Sequence, residues 1–191
     1  RASDADPLSA LEALCAEGLV LMAAGYALGA RMDRFPYPGK AKDDLGEPEL
    51  EAALYPGALL HDGREWWTLG DPPGGLLQAL ASARDPGEPE AAPSPRSVER
   101  NFSPEGYRAA VAEVRRLIFD GEIYQANLAR RLAAPFRGDA WPLYRRLRTG
   151  DPALFAAFLD LGRSPITGAP RAIASASPEP FLSLSARGDV E

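Results

Sequence analysis

The alternation of hydrophobic and polar residues predicts a series of short helices and strands. Before Gly18, and again between Ser103 and Gly121, apolar residues recur with the 3.6-residue period of an amphipathic helix. Ser103 followed by Pro104 is a typical helix start, and Gly121 is a typical helix end. Helices are predicted over 7–17, 75–84, 104–120 and 141–148, and strands over 19–28, 52–60, 64–69, 153–161, 172–176 and 181–185. Asp6 is predicted to cap the first helix, and His61-Asp62-Gly63 is predicted to be the turn of a hairpin.

This order of elements predicts an α+β fold, in which an antiparallel sheet carries helices on its outer face. A proline-rich stretch at 85–97 predicts a connection, so we expect two regions, 1–98 and 99–191. Near the end, Arg187-Gly188-Asp189 is typical of a turn that joins two strands. Because only residues 190–191 follow that turn, we expect the chain to be truncated within a sheet.

Composition excludes several classes of protein. With 46% hydrophobic and 25% charged residues in 191, the chain is not globally disordered. A net charge of −6 argues against a nucleic-acid partner. The single Cys15 and single His61 exclude an internal disulfide and a zinc site, and they favour a reducing cytoplasm. No apolar run reaches the roughly 18 residues that a membrane span needs.

Candidate chemistry begins where the long helix ends, at Gly121-Glu122-Ile123-Tyr124-Gln125-Ala126-Asn127-Leu128. This segment is predicted to be a strand, and alternate side chains of a strand share a face. Gln125 and Asn127 would therefore point the same way, and two neutral amides can bind a carboxylate or a hydroxyl. They can equally bond to neighbouring backbone, which is the commoner role of side-chain amides.

A second candidate follows at Ser175-Ala176-Ser177-Pro178-Glu179. Proline stands on both sides of Glu179, because Pro180 follows it, and each proline restricts the backbone. The carboxylate is therefore presented from a stiff turn, which suits proton transfer at a fixed distance. The alternative is an ordinary solvated acid in a turn.

Both segments, in this order, resemble the chorismate-utilising enzymes, which carry a Gly-Asp-x-Tyr-Gln-x-Asn-Leu-type strand and a Ser-x-Ser-Pro-Glu-type turn. The resemblance is strong from Asn101 to Glu191 and loose from Leu19 to Leu69. In having Asn127, the chain resembles the aminodeoxychorismate synthase branch, which tends to have asparagine there, whereas the anthranilate synthase branch tends to have an aliphatic residue. The implied fold is anthranilate/aminodeoxychorismate synthase-like. Residues 1–98 would be its N-terminal region, and 99–191 an incomplete beginning of the chorismate-binding domain.

The resemblance also implies roles for residues. Glu179 would be catalytic, moving a proton or orienting the incoming nucleophile. Gln125, Asn127 and Ser177 would bind the substrate. The implied reaction is amination of chorismate at C4 in 4-aminobenzoate and folate biosynthesis, with ammonia from a glutamine amidotransferase subunit or domain.

Magnesium (Mg2+) is the implied cofactor. In the family its ligands and a nucleophilic lysine come later than Glu191, so the chain alone is expected to be inactive. Two alternatives stay open at this point. One is anthranilate synthase component I, which serves tryptophan biosynthesis. The other is a non-catalytic module that binds a small acid or a partner subunit.

Overall fold

In a computed structural model, the chain forms two compact units. One unit comprises residues 1–86 and 163–169, and the other comprises residues 87–162 and 170–191. The predicted division of the fold at residue 98 stays a prediction. The structure describes residues 6–29, 45–84, 87–88, 95, 97–185 and 187–190, so most of the predicted connection at 85–97 lies outside the described residues.

The first unit combines helices with paired strands. Its elements are α1 (Pro7–Glu17), β1 (Leu19–Ala24), β2 (Leu50–Tyr55), β3 (Gly57–His61), β4 (Trp66–Gly70) and α2 (Leu76–Ser82). Helix α1 begins as predicted, because an oxygen of the Asp6 carboxylate accepts the backbone N–H of Ser9 at 2.9 Å. The predicted strand over 19–28 is too long: it ends at Ala24, and Tyr26–Leu28 forms a 3-10 turn.

The predicted hairpin around residues 61–63 is confirmed, since β3 pairs antiparallel with β4. In its turn, the Asp62 carboxylate accepts the backbone N–H groups of Arg64 and Glu65, both at 2.8 Å. The bonds from Glu65 and then Arg64 hold the pKa of Asp62 below its usual value, because they favour the charged carboxylate. A short-range pattern was enough to predict this element.

The predicted strand over 52–60 is wrong in its continuity. It breaks at Pro56, which has no N–H to donate to a neighbouring strand, and β2 and β3 then pair with different partners. The break also requires a residue without a side chain. A Cβ at Gly57 would collide with the carbonyl oxygen of Leu69.

The second unit carries both candidate segments. Its elements are β5 (Glu99–Arg100), α3 (Pro104–Phe119), β6 (Leu132–Ala133), α4 (Ala140–Gly150), β7 (Phe155–Arg163) and β8 (Pro170–Ser177). The Ser103 hydroxyl accepts the N–H of Gly106 at 3.0 Å and caps α3, as predicted. At its other end, Gly121 has φ +77°, and the N–H of Glu122 bonds to the carbonyl of Leu117 at 2.9 Å.

Helix α4 packs on strand β8, which confirms helices laid against sheet. An aromatic cluster forms at the base of α4, where Trp141, Tyr144 and Phe158 contact one another at ring-centre distances of 5.2–5.5 Å. Tyr144 is only 6% exposed. This cluster joins α4 to β7, the strand that pairs with β8.

The fold class is confirmed as α+β, but one continuous antiparallel meander is not present in the described residues. Their strands form four two-stranded sheets, β1–β2, β3–β4, β5–β6 and β7–β8. The predicted strand over 181–185 is wrong, because only an isolated bridge joins Leu184 to Val190. Ser185 instead builds the predicted turn at 187–189: its hydroxyl accepts the N–H groups of Arg187 and Asp189 at 3.2 and 3.0 Å.

Among the helices of the described ranges, none combines the length and apolar character that crossing a membrane requires.

Candidate active site

The segment that carries Gln125 and Asn127 differs from its prediction. Residues 122–131 form no strand, so the shared face expected for the two amides is not set by strand alternation. Both side chains are exposed. Neither amide donates to or accepts from the described backbone, so the bonding to neighbouring backbone that their spacing favoured is not seen.

What holds this segment is a set of contacts from earlier in the chain. The side-chain oxygen of Asn101 accepts the N–H of Arg131 at 2.8 Å, and its amide nitrogen donates to the carbonyl of Ala129 at 3.5 Å. The Tyr107 hydroxyl donates to the carbonyl of Leu128 at 3.4 Å. Side chains thus satisfy backbone groups of Leu128, Ala129 and Arg131 that a neighbouring strand would otherwise pair.

Sequence reasoning missed Asn101 and Tyr107. Tyr107 lies within the amphipathic pattern between Ser103 and Gly121, which predicts only a residue of the apolar helix face, and Asn101 is only the residue where the family resemblance begins. Both bond to residues 21 to 30 positions away. Contacts between residues so far apart in sequence can be predicted only from the fold, because local periodicity extends over one helix or strand.

Three charged side chains form an ion-pair cluster at the end of α3, directly before the segment that carries Gln125 and Asn127. The Arg116 guanidinium bonds to Glu113 at 2.7 and 2.9 Å and to Asp120 at 2.5 Å. Hydrogen bonding from Arg116 lowers the pKa of Glu113. All three side chains are more than half exposed, so this cluster adds little stability and mainly orders the last helical turn.

The turn that carries Glu179 follows directly from the end of β8. Ser177 is half-buried, and its hydroxyl donates to the carbonyl of Glu179 at 3.0 Å. Pro178 and Pro180 restrict the backbone on either side. The Glu179 carboxylate itself is exposed. A serine hydroxyl has one proton, so in this geometry Ser177 can offer a ligand only an acceptor.

The two candidate segments belong to the same compact unit. Within the described residues, one hydrogen bond links Ser177 to Glu179, and none links that turn to Gln125 or Asn127. The grouping of these four residues into one site therefore stays a prediction.

A metal centre is not assembled by the part of the chain that the structure describes. There, no three His, Cys, Asp or Glu side chains come together in a way that could hold an ion. Magnesium prefers a near-octahedral set of oxygen ligands, and Glu179 alone does not supply one.

An apolar cavity of about 520 Å³ is lined by residues of the first unit, and no candidate residue is among them. Its only polar side-chain groups are the Tyr55 hydroxyl and the Trp66 indole N–H, so it offers nothing to neutralise an acid. The candidate site is therefore not this cavity. Its lining is Leu19, Leu21, Tyr55, Gly57, Ala58, Leu59, Trp66, Leu76, Ala79, Leu80 and Ala83.

Comparison with known proteins gives consistent matches. The chain is 30% identical over 171 residues to aminodeoxychorismate synthase component 1 of Klebsiella aerogenes, covering 87% of this chain and 35% of that protein. It is 31% identical over 190 residues to anthranilate synthase component 1 of Thermus thermophilus, covering 89% of this chain and 37% of that protein. The chain thus spans about a third of the length of these relatives.

A solved structure matches the fold. Anthranilate synthase component I from Streptococcus pneumoniae TIGR4 superposes with a TM-score of 0.69 at 21% identity, covering 97% of this chain and 46% of that one. The family model described as chorismate binding enzyme matches residues 2–190. On this evidence the chain belongs to the chorismate-binding enzyme family.

Proposed function

We propose that the protein containing this chain is component I of aminodeoxychorismate synthase, which aminates chorismate at C4 in 4-aminobenzoate and folate biosynthesis. The observation that carries the proposal is the asparagine at position 127. The aminodeoxychorismate synthase branch tends to have asparagine at this position, whereas the anthranilate synthase branch tends to have an aliphatic residue. The Klebsiella aerogenes relative supports the same choice.

Gln125 and Asn127 suit a small cyclic dianion. Each carboxamide has two N–H donors and one acceptor oxygen, so the pair can bind a carboxylate and a hydroxyl without a local positive charge. Both are exposed and unbonded within the described residues, so binding costs them no existing hydrogen bond. Ser177 would contribute its acceptor lone pairs to a substrate hydroxyl, because its proton is bonded to the carbonyl of Glu179.

Glu179 would do the proton work. Replacement of the 4-hydroxyl by ammonia requires that a proton leave the nitrogen and that the departing oxygen gain one, which a fixed carboxylate can mediate. The restricted turn suits this role, because a group held in place loses little entropy when the substrate binds.

Ammonia would come from a glutamine amidotransferase subunit or domain. Magnesium is proposed as a requirement of the complete protein. The described residues do not assemble its site, so no step of this proposal is routed through the metal.

Anthranilate synthase component I is the second candidate, favoured by the relative of Thermus thermophilus. The two activities differ in the ring position aminated and in whether pyruvate is released. A single assay of the full-length protein therefore separates them.

The assay supplies chorismate, ammonium and magnesium to the purified full-length protein, with detection of pyruvate and mass analysis of the products. We expect 4-amino-4-deoxychorismate and no pyruvate. Anthranilate with pyruvate would transfer the assignment to the second candidate. Absence of turnover, together with calorimetric binding of chorismate, would instead indicate a non-catalytic module.

The 191-residue chain alone spans about a third of its relatives' length and is expected to be inactive. Chorismate turnover by the isolated chain would contradict this expectation.

A further inference from the structure

We propose that Asn101 and Tyr107 are positioning residues, which clamp the backbone directly after Asn127 and thereby set the pose of the Gln125–Asn127 segment. This inference rests on the proposed function, because it takes that segment to be the substrate-binding one. Neither residue is proposed to touch the substrate.

Asn101 makes the larger part of the clamp. Its side-chain oxygen accepts the N–H of Arg131 at 2.8 Å, and its own backbone N–H donates to the carbonyl of Arg131 at 3.2 Å. Its amide nitrogen reaches the carbonyl of Ala129 at 3.5 Å. Because a carboxamide has both a donor and an acceptor, one side chain can bond an N–H and a carbonyl two residues apart.

The place of Asn101 follows from the smallest sheet of the second unit. Strands β5 and β6 pair with Arg100 opposite Leu132, which brings Asn101, the residue after β5, beside Arg131. The strand pairing ends there, and the Asn101 side chain continues the hydrogen bonding towards Asn127. The clamp is therefore an extension of the sheet by a side chain.

Tyr107 adds a second attachment, from helix α3. Its hydroxyl donates to the carbonyl of Leu128, and its partly buried ring packs edge-on against Phe102 at 5.7 Å. The residue lies in the first turns of α3, which Ser103 caps. Helix α3, through Tyr107, thus holds Leu128, and Asn101 at the end of β5 holds Ala129 and Arg131.

The clamp has a consequence for binding because no described strand pairs with the Gln125–Asn127 segment. An unrestrained segment must be ordered when the substrate binds, and that ordering weakens affinity. Contacts to the unreacting parts of the substrate act equally in the bound state and in the transition state. Loosening the clamp should therefore raise KM and leave kcat nearly unchanged.

The test uses the full-length protein with three variants. In Asn101→Ala we expect KM for chorismate to rise about tenfold and kcat to stay within about twofold, as the loss of one or two hydrogen bonds predicts. Asn101→Asp keeps the acceptor for the N–H of Arg131 and should lie between Asn101→Ala and the parent. Tyr107→Phe loses one long hydrogen bond and should raise KM about threefold.

Hydrogen exchange of the Arg131 amide provides a readout that does not depend on the reaction. In Asn101→Ala this amide loses its acceptor and should exchange at least about tenfold faster, whereas amides in the middle of α3 should not change. Matched controls are Gln78→Ala, an exposed amide on α2, and Tyr26→Phe, whose side chain is 91% exposed. Both controls should keep parental KM and exchange rates.

The outcomes separate this inference from the proposed function. If the parent turns over chorismate and Asn101→Ala keeps its KM, or loses kcat at constant KM, the positioning role is overturned. Unchanged Arg131 exchange in Asn101→Ala also overturns it, whatever the reaction proves to be. If the parent shows no chorismate chemistry but Arg131 exchanges faster, the proposed function fails and the clamp stands. Should Asn101→Ala not fold, Asn101→Asp and Tyr107→Phe carry the same comparisons.

Discussion

The two candidate segments are held in opposite ways. The Ser177–Glu179 turn is fixed by its own neighbours, through two prolines and a hydrogen bond that spans two residues. The residues directly after the Gln125–Asn127 segment are held by side chains 21 to 30 positions earlier in the chain. The proposed proton transfer by Glu179 requires a locally fixed carboxylate, whereas the proposed binding by Gln125 and Asn127 can depend on contacts from distant residues. The difference predicts which half of the proposed site a mutation will disturb.

The largest effect is expected at the locally fixed turn. In the full-length protein, Glu179→Gln keeps the size of the side chain and removes the carboxylate that can accept and donate a proton. We expect kcat to fall about a thousandfold, or roughly 4 kcal/mol, with little change in KM. Steady-state chorismate turnover measures it. Glu105→Gln, at a side chain 80% exposed, is the matched control. Full turnover by Glu179→Gln would remove the residue from the chemistry.

The next largest effect is expected in β8, the strand that precedes this turn. Tyr144→Ala deletes the most buried ring of α4, the helix that packs on β8, and we expect amides of β8 to lose about 3 kcal/mol of opening free energy. Hydrogen exchange along 171–177 measures it. Tyr144→Phe, which keeps the ring, should resemble the parent. Unchanged β8 exchange in Tyr144→Ala would show that the stability of β8 does not depend on this ring.

On the remotely held segment the expected effect is smaller and appears in binding. Asn127→Ala should raise KM about tenfold, or roughly 1.4 kcal/mol, at nearly constant kcat. If Asn101 acts only through this segment, Asn101→Ala combined with Asn127→Ala should raise KM far less than the product of the two single effects. Strict multiplication of the two effects would contradict a shared mechanism.

The smallest effect is expected at the cap of α3. Ser103→Ala leaves the N–H of Gly106 without its acceptor and should cost about 1 kcal/mol of local helix stability. Because Tyr107 lies just after the cap, KM should rise about twofold. Amide exchange of Gly106, with Ser103→Asp as the variant that restores a cap, measures the effect. Equal exchange rates in Ser103→Ala and Ser103→Asp would exclude this route.

Sequence predicted the features that neighbouring residues determine. The caps at Asp6 and Ser103, the glycine end of α3 and the Asp62 turn all depend on contacts within five residues. The stiff Glu179 turn belongs to the same group. These features follow from local hydrogen bonding and restricted dihedral angles, which a short window of sequence contains.

The errors have two different causes. The strand over 52–60 was wrong because Pro56, a local signal that the apolar pattern overrode, has no N–H to donate. The single sheet was wrong because pairing partners are set by the whole fold. The contacts that Asn101 and Tyr107 make with the backbone after Asn127 are of the second, long-range kind. Long-range contacts cannot be predicted from local periodicity, and Asn101 and Tyr107, which hold the backbone next to the proposed binding segment, were missed for this reason.

The most direct test is hydrogen exchange of the full-length protein with and without chorismate, in the absence of ammonia and magnesium, with binding verified by calorimetry. We expect exchange to slow in both 123–128 and 177–182, while the hairpin at 57–70 keeps its rates. Slowing at the hairpin alone, at only one of the two segments, or nowhere would contradict a shared substrate site.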